Sequence, residues 1–132
     1  MSRNILIVED AETAATTLEI ALQHIPDVEV ARVSDGRLAL EYLASQHSSR
    51  IDALVTDLEM PRLDGFELIR RLRAQERYQR LPIVVVSGSQ DPDAPAQVLR
   101  LGADAFFAKP WSPAAVRRKV EELLSQSPTR KA

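Results

Sequence analysis

One pattern recurs five times along the 132 residues of this chain: a short apolar run, a loop, and a segment with apolar residues at helical spacing. The runs lie at 5–8, 28–31, 53–55, 83–86 and 105–108. The first, third and fourth are apolar at every position, which is typical of strands buried on both faces of a parallel sheet. Five units of about 26 residues are close to the minimum for right-handed crossovers. The pattern therefore predicts a single α/β domain with one five-stranded parallel sheet.

One-sided apolar stripes predict the helices that cover this sheet. The stripes are Leu18, Ala21, Leu22 and Ile25; Ala39, Leu40 and Leu43; Leu68, Ile69 and Leu72; and Val116, Val120 and Leu123. The fourth helix should begin late or be short, because Pro92 and Pro95 are tolerated only at a helix start. The sequence predicts a domain over 1–124 and a polar, frayed tail over 125–132.

Composition excludes several classes of function. The chain has no Cys, which removes disulfides, thiolate zinc sites and cysteine nucleophiles, and His24 and His47 are too far apart to form a metal-ligand motif. No apolar run approaches the roughly 18 residues of a membrane span, and the first run is too short for a signal peptide. We therefore expect a cytoplasmic location and no membrane contact.

Charge argues against nucleic-acid binding as well. The 17 basic and 19 acidic residues give a net charge of −2, which provides no bulk attraction to a polyanion. Five arginines do cluster locally, at Arg70, Arg71, Arg73, Arg77 and Arg80. We interpret them as a solvated helix face.

Polar side chains follow four of the predicted strands. Glu9 and Asp10 follow the first, Asp57 the third, Ser87 the fourth, and Lys109 with Pro110 the fifth. The carboxyl ends of parallel strands meet at one edge of the sheet. Three carboxylates there would raise one another's pKa values unless a cation were present, and oxygen ligands partly open to solvent suit Mg²⁺. This edge therefore predicts a magnesium site suited to phosphoryl transfer.

Four motifs resemble the response-regulator receiver domain of two-component signalling. They are ILIVED at 5–10, LVTDLEMPRLDG at 54–65, VVVSG at 84–88 and GADAFFAKP at 102–110, and the likeness runs from about Asn4 to Leu124. The resemblance implies a doubly wound, flavodoxin-like fold. It also implies a stand-alone signalling module, not a turnover enzyme, phosphorylated by a sensor histidine kinase, a histidine phosphotransfer protein or a small phosphodonor. Its downstream protein target is unknown, and phosphorylation-dependent dimerisation stays open.

The resemblance assigns roles at the site. Asp57 matches the phosphoacceptor, which would become an aspartyl phosphate. Glu9 and Asp10 match the acidic pair that holds Mg²⁺, together with Asp57 and the backbone carbonyl of Glu59. Lys109 would supply the remaining positive charge, and most of the catalysis would be positioning and charge neutralisation.

The resemblance also implies a switch. Ser87 would donate its hydroxyl to a phosphoryl oxygen, and Phe106 would rotate into the space that the moving loop vacates. The change would appear on the face formed by the fourth helix, fifth strand and fifth helix, where we expect Trp111 to lie nearby. The peptide bond before Pro110 is expected to be cis.

Three alternatives stay open. Asp57-Leu58-Glu59 loosely resembles the D-x-D motif of aspartate-nucleophile phosphatases, although the second acid is Glu. A flavin-mononucleotide module is disfavoured because the first loop, 9–13, is acidic where a phosphate needs donors. The chain could also be a receiver module cut from a larger hybrid protein, although Met1 and the polar tail favour a stand-alone chain.

Overall fold

The computed structural model describes residues 2–45 and 50–126, which form one five-stranded sheet. Its strands are β1 (Arg3–Val8), β2 (Val28–Val33), β3 (Ala53–Thr56), β4 (Ile83–Ser87) and β5 (Ala105–Ala108). Their spatial order is β2-β1-β3-β4-β5, and every neighbouring pair is parallel. The predicted parallel sheet is therefore confirmed, with strands up to two residues longer than their apolar runs.

Five helices connect and cover these strands. They are α1 (Glu12–Leu22), α2 (Gly36–Ala44), α3 (Gly65–Arg73), α4 (Ala94–Leu101) and α5 (Pro113–Ser125), with a 3₁₀ turn at Glu76–Tyr78. At eight residues, α4 is the shortest helix in the described part of the chain, and Pro95 stands in its first turn, as the sequence predicted. Within residues 2–45 and 50–126, no helix has the length and apolarity needed to cross a membrane.

Helices pack on both faces of the sheet. On one face, α2, α3 and α4 bury a cluster that includes Leu6, Leu54 and Ile83. On the other face, α1 and α5 bury a cluster that includes Val55 and Val84. Because successive side chains of a strand point to opposite faces, the central strands feed both clusters. This arrangement confirms the doubly wound α/β fold.

The end of the predicted domain lies close to the end of the last helix. Helix α5 ends at Ser125, one residue beyond the predicted domain boundary. The rest of the predicted tail, 127–132, lies outside the described residues, as does His47.

The arginine cluster is only partly a solvated face. Arg70 and Arg71 are exposed and both pair with Glu67, as expected of a helix surface. Arg73 corrects the expectation: its Nη1 donates to the carbonyl oxygen of Tyr78 at 2.6 Å and its Nη2 to that of Gly102 at 2.7 Å. Arg73 therefore ties α3 to the end of α4.

Candidate functional site

The carboxyl ends of β1 and β3 bring three acids together. The two strands are parallel neighbours, and Val8 stands beside Thr56 in their register. Glu9 and Asp10 follow β1, Asp57 follows β3, and one carboxylate oxygen from each lies within 4.8 Å of the others. The predicted convergence of these acids is therefore present in the structure.

Asp57 is held on one side and open on the other. Its side chain is buried, and Oδ1 accepts hydrogen bonds from the N–H of Leu58 at 2.6 Å and of Glu59 at 3.4 Å. Among the described residues nothing donates to Oδ2. Burial raises the pKa of Asp57 above its ordinary value, although these N–H groups and the charge of Lys109 oppose the rise. Asp57 is therefore fixed through Oδ1, and Oδ2 is left without a hydrogen-bond donor among the described residues.

Glu9 is buried in an unfavourable electrostatic environment. Its Oε2 accepts the N–H of Ala11 at 3.1 Å, whereas the buried Oε1 has no hydrogen-bond partner within the described part of the chain. Burial, with the nearby charge of Asp57, raises the pKa of Glu9 to about 7. A buried, unpartnered carboxylate oxygen is costly, and a divalent cation would satisfy it. The site therefore fits Mg²⁺.

Asp10 and Glu59 complete the acidic edge from the solvent side. Asp10 is exposed and does not cap α1, since Ala11 occupies the N-cap position. The side chain of Glu59 is also exposed, and its backbone N–H faces the Asp57 carboxylate. Both residues leave room for water ligands, which Mg²⁺ retains.

Ser87 and Lys109 border the acids from β4 and β5. Ser87 is fully buried, and its Oγ accepts the N–H of Ser89 at 3.0 Å. Its carbonyl oxygen accepts the N–H of Lys109 at 2.8 Å. A Cβ on Gly88 would lie 3.1 Å from Cδ of Lys109, so the lysine stem runs against the Gly88 backbone. The Lys109 charge opposes the rise in the pKa of Asp57 that burial causes.

The remaining predicted residues lie within β5 or directly follow it. The Lys109-Pro110 peptide bond is cis, as expected. Phe106 is half-buried and packs against the α2–α3–α4 cluster. Trp111 packs with the α1–α5 cluster and lines a cleft of about 370 Å³ with Thr13 and Thr17 of α1. Its place near the α4–β5–α5 face stays a prediction.

The sequence patterns described above do not predict two contacts near the site. Gly65 packs against the backbone of Asp57, and the Asp64-Gly65 pair was a signal that could have found it. Arg62 pairs with Asp35 at 2.6 Å. These two residues are 27 positions apart, and no local pattern connects them.

Comparison with known proteins gives one consistent result. The family model described as "Response regulator receiver domain" matches residues 5–121. The chemotaxis protein CheY of Pseudomonas aeruginosa is 31% identical over 122 residues, which cover 92% of this chain and 96% of that protein.

Solved structures show the same likeness in three dimensions. The signal receiver domain of a signal transduction histidine kinase from Syntrophus aciditrophicus has a TM-score of 0.85 and 32% identity, covering 96% of this chain and 92% of that one. The receiver domain of a sensor histidine kinase from Pseudomonas aeruginosa PAO1, with a magnesium ion coordinated in its active-site cleft, has a TM-score of 0.81 and 30% identity, covering 95% and 99%.

Proposed function

This chain belongs to the response regulator receiver domain family, and on that premise we propose that it accepts a phosphoryl group on Asp57 in a magnesium-dependent reaction. Receiver domains are signalling modules of two-component systems and not turnover enzymes. The observation that carries the proposal is the convergence of Glu9, Asp10 and Asp57, with Asp57 anchored through one oxygen only. The donor would be a sensor histidine kinase, a histidine phosphotransfer protein or a small phosphodonor.

The chemistry begins at the open oxygen of Asp57. Oδ2 attacks the phosphorus of the donor, and the new O–P bond forms as the bond to the leaving group breaks. The leaving group, an imidazole or an acetate, departs with the electron pair of that bond. The N–H groups of Leu58 and Glu59 hold Oδ1 throughout, which keeps the nucleophile in a fixed orientation.

The acidic edge would hold the metal. Glu9, Asp10 and Asp57 supply carboxylate oxygens, and the backbone carbonyl of Glu59 is the proposed fourth protein ligand. When bound there, Mg²⁺ would supply positive charge that neutralises the charge of a transferred phosphoryl group. The buried Oε1 of Glu9, which has no partner among the described residues, supports this assignment independently of the family.

Lys109 and Ser87 act on the transferred group. Lys109 follows β5 at the same edge of the sheet as the acids, and its ammonium would neutralise charge developing on a phosphoryl oxygen. The Ser87 hydroxyl would donate to another phosphoryl oxygen. Its Oγ already holds the N–H of Ser89, so a shift of Ser87 would move the loop that leads to α4.

Phe106 would carry the signal outward. It stands beside Val85 in the β4–β5 register and packs against the cluster that contains Val98 of α4. The α4–β5–α5 face is therefore the proposed output surface, read by a protein target or by a second copy of the chain.

We predict no direct nucleic-acid binding and a cytoplasmic location.

Intact-protein mass spectrometry tests the proposal. After incubation with Mg²⁺ and acetyl phosphate, the wild type should gain the mass of one phosphoryl group. Asp57→Asn and a chelator-treated sample should gain nothing. If the wild type shows no gain, binding of beryllofluoride would distinguish rapid hydrolysis from inability to react. Failure of both measurements would overturn the proposal, and steady turnover of many phosphate esters would favour the phosphatase alternative.

A further inference from the structure

Arg62 and Asp35 tie the loop after the phosphoacceptor to the start of α2. Nη2 and Nε of Arg62 lie 2.6 and 3.0 Å from Oδ2 of Asp35. The Asp35 side chain is 4% exposed, whereas that of Arg62 is 52% exposed. We infer that Arg62 and Asp35 are positioning residues that hold this loop for metal binding at the Asp57 site. The inference rests on the function proposed above.

Asp35 is a rigid point of attachment because it is held twice. Its Oδ1 accepts the N–H of Leu38 at 2.9 Å and so caps α2, while Oδ2 receives Arg62. Helix α2 is anchored in the core through Ala39 and Leu43, both buried. The ion pair therefore connects the exposed guanidinium to a fixed element of the fold.

Other contacts also hold this loop: Met60 and Leu63 pack against the α2–α3–α4 cluster, and the N–H of Leu63 donates to the carbonyl oxygen of Pro61 at 2.7 Å. Residues 59–62 are exposed or half-buried. The neighbouring anchor is a hydrogen bond of 3.3 Å from the N–H of Gly36 to the carbonyl oxygen of Leu63. A Cβ on Gly36 would lie 2.6 Å from that oxygen, so the two segments touch along their backbones. Arg62 itself has a φ of 69°, a conformation that few residues other than glycine adopt unless contacts hold them there.

The position of Glu59 depends on both ends of this segment. At one end, the N–H of Asp57 is bonded to the carbonyl oxygen of Val8 at 3.0 Å. At the other end, Arg62 is bonded to Asp35. Without the second anchor, the backbone of Glu59 would sample more conformations, and the metal would have to order it on binding. Residues that orient metal ligands usually change metal affinity when they are replaced.

Three variants test the inference. Arg62→Asn removes the guanidinium with a residue that accepts a positive φ. Asp35→Asn/Arg62→Asn removes the pair without leaving an unpaired buried charge. Arg37→Asn is the matched control, since Arg37 is an exposed arginine on α2 that pairs with the exposed Glu41. Mg²⁺ affinity is measured by titration of the backbone amide resonances of the full chain, and stability by urea denaturation.

We expect about tenfold weaker Mg²⁺ binding for Arg62→Asn and for the double variant, and none of this loss for Arg37→Asn. The metal-free Arg62→Asn chain should also exchange the amide hydrogens of Glu59 and Leu63, which are hydrogen-bonded in the structure, faster than the control. The double variant should be more stable than Arg62→Asn, because it leaves no unpaired buried charge. If the pair only stabilised the fold, the double variant would also regain the Mg²⁺ affinity that Arg62→Asn loses.

Two failures are distinguishable. If the Mg²⁺ affinity of the double variant is less than about threefold weaker than that of the wild type, the inference is overturned while the proposed function stays intact. A wild type that neither binds Mg²⁺ nor takes a phosphoryl group would overturn the proposed function, and the inference with it.

Discussion

Gly65 lies directly against the backbone of Asp57. Its N–H donates to the carbonyl oxygen of Leu58 at 2.9 Å. A Cβ at this position would overlap the carbonyl oxygen of Asp57 and lie 2.8 Å from Cα of Leu58. Backbone atoms cannot turn aside as a flexible side chain can. The first turn of α3 therefore packs against the phosphoacceptor only because residue 65 has no side chain.

Gly65→Ala should destabilise the protein by about 1–3 kcal/mol, the usual range for an overpacked site. The matched control is Gly88→Ala, whose Cβ would meet the flexible stem of Lys109 at 3.1 Å. We expect a smaller loss there because the lysine can shift. Urea denaturation of both variants measures the difference, and equal losses would show that the Gly65 contact is not the cause.

The Asp35 carboxylate predicts a pH-dependent stability. Burial raises its pKa, but the hydrogen bonds from the N–H of Leu38 and from Arg62 outweigh burial and lower the pKa below its ordinary value. Such a group stabilises the fold fully above its unfolded pKa of about 3.9, and the stabilisation is lost as the pH falls through the folded value.

Asp35→Asn should therefore be less stable than the wild type at pH 7, by about 1–2 kcal/mol, and the gap should narrow below about pH 4. Glu41→Gln serves as the control, since Glu41 belongs to an exposed ion pair that contributes little. Free energies of unfolding measured across this pH range test the prediction. A gap that does not narrow between about pH 5 and pH 3 would contradict it, because the stabilisation declines once the pH falls below the unfolded pKa and towards the lowered folded value.

The sheet could be predicted because its signal is local. Each of the five strands is an apolar run that the sequence shows without reference to any other segment. The convergence of Glu9, Asp10 and Asp57 could also be predicted, because the carboxyl ends of parallel strands lie at one edge of the sheet. The ends of the strands were predicted less accurately than their centres. Strand β1 begins at Arg3, two residues before its apolar run, and β2 continues to Val33, two residues beyond its run.

Contacts between distant polar residues could not be predicted. Arg73 looked like its neighbours on α3, yet its partner, the carbonyl oxygen of Gly102, is 29 positions away. The pairing of Arg62 with Asp35 likewise depends on how one loop meets another. Trp111 packs against the α1–α5 cluster, and its place directly after β5 in the sequence does not say which face of the sheet it covers.

Glu9→Gln should stabilise the metal-free protein. At pH 8 Glu9, whose pKa is raised to about 7, is largely ionised, and its Oε1 is buried with no partner among the described residues. The amide removes this charge and its repulsion with Asp57. We expect a gain of about 1–2 kcal/mol by urea denaturation in the presence of chelator.

Adding Mg²⁺ should make the wild type more stable than Glu9→Gln, which reverses their order in the metal-free state. The wild type gains binding energy that depends on the Glu9 carboxylate, while Glu9→Gln gains much less. Asp52→Asn is a control, because this acid lies outside the cluster and accepts the N–H of Asn4 at 2.8 Å. Its response to Mg²⁺ should match that of the wild type. Equal responses of Glu9→Gln and the wild type would remove Glu9 from the metal site.

Lys109→Gln should slow phosphorylation without unfolding the protein. Glutamine keeps most of the stem that runs against Gly88 but removes the charge that acts on Asp57. If the ammonium neutralises a phosphoryl oxygen in the transition state, its loss should lower the rate about 100-fold at saturating Mg²⁺. Lys119→Gln is the control, since Lys119 lies on α5 and pairs with Glu122. Phosphoryl incorporation followed by mass spectrometry gives both rates, and a rate of Lys109→Gln equal to the control would assign Lys109 a structural role only.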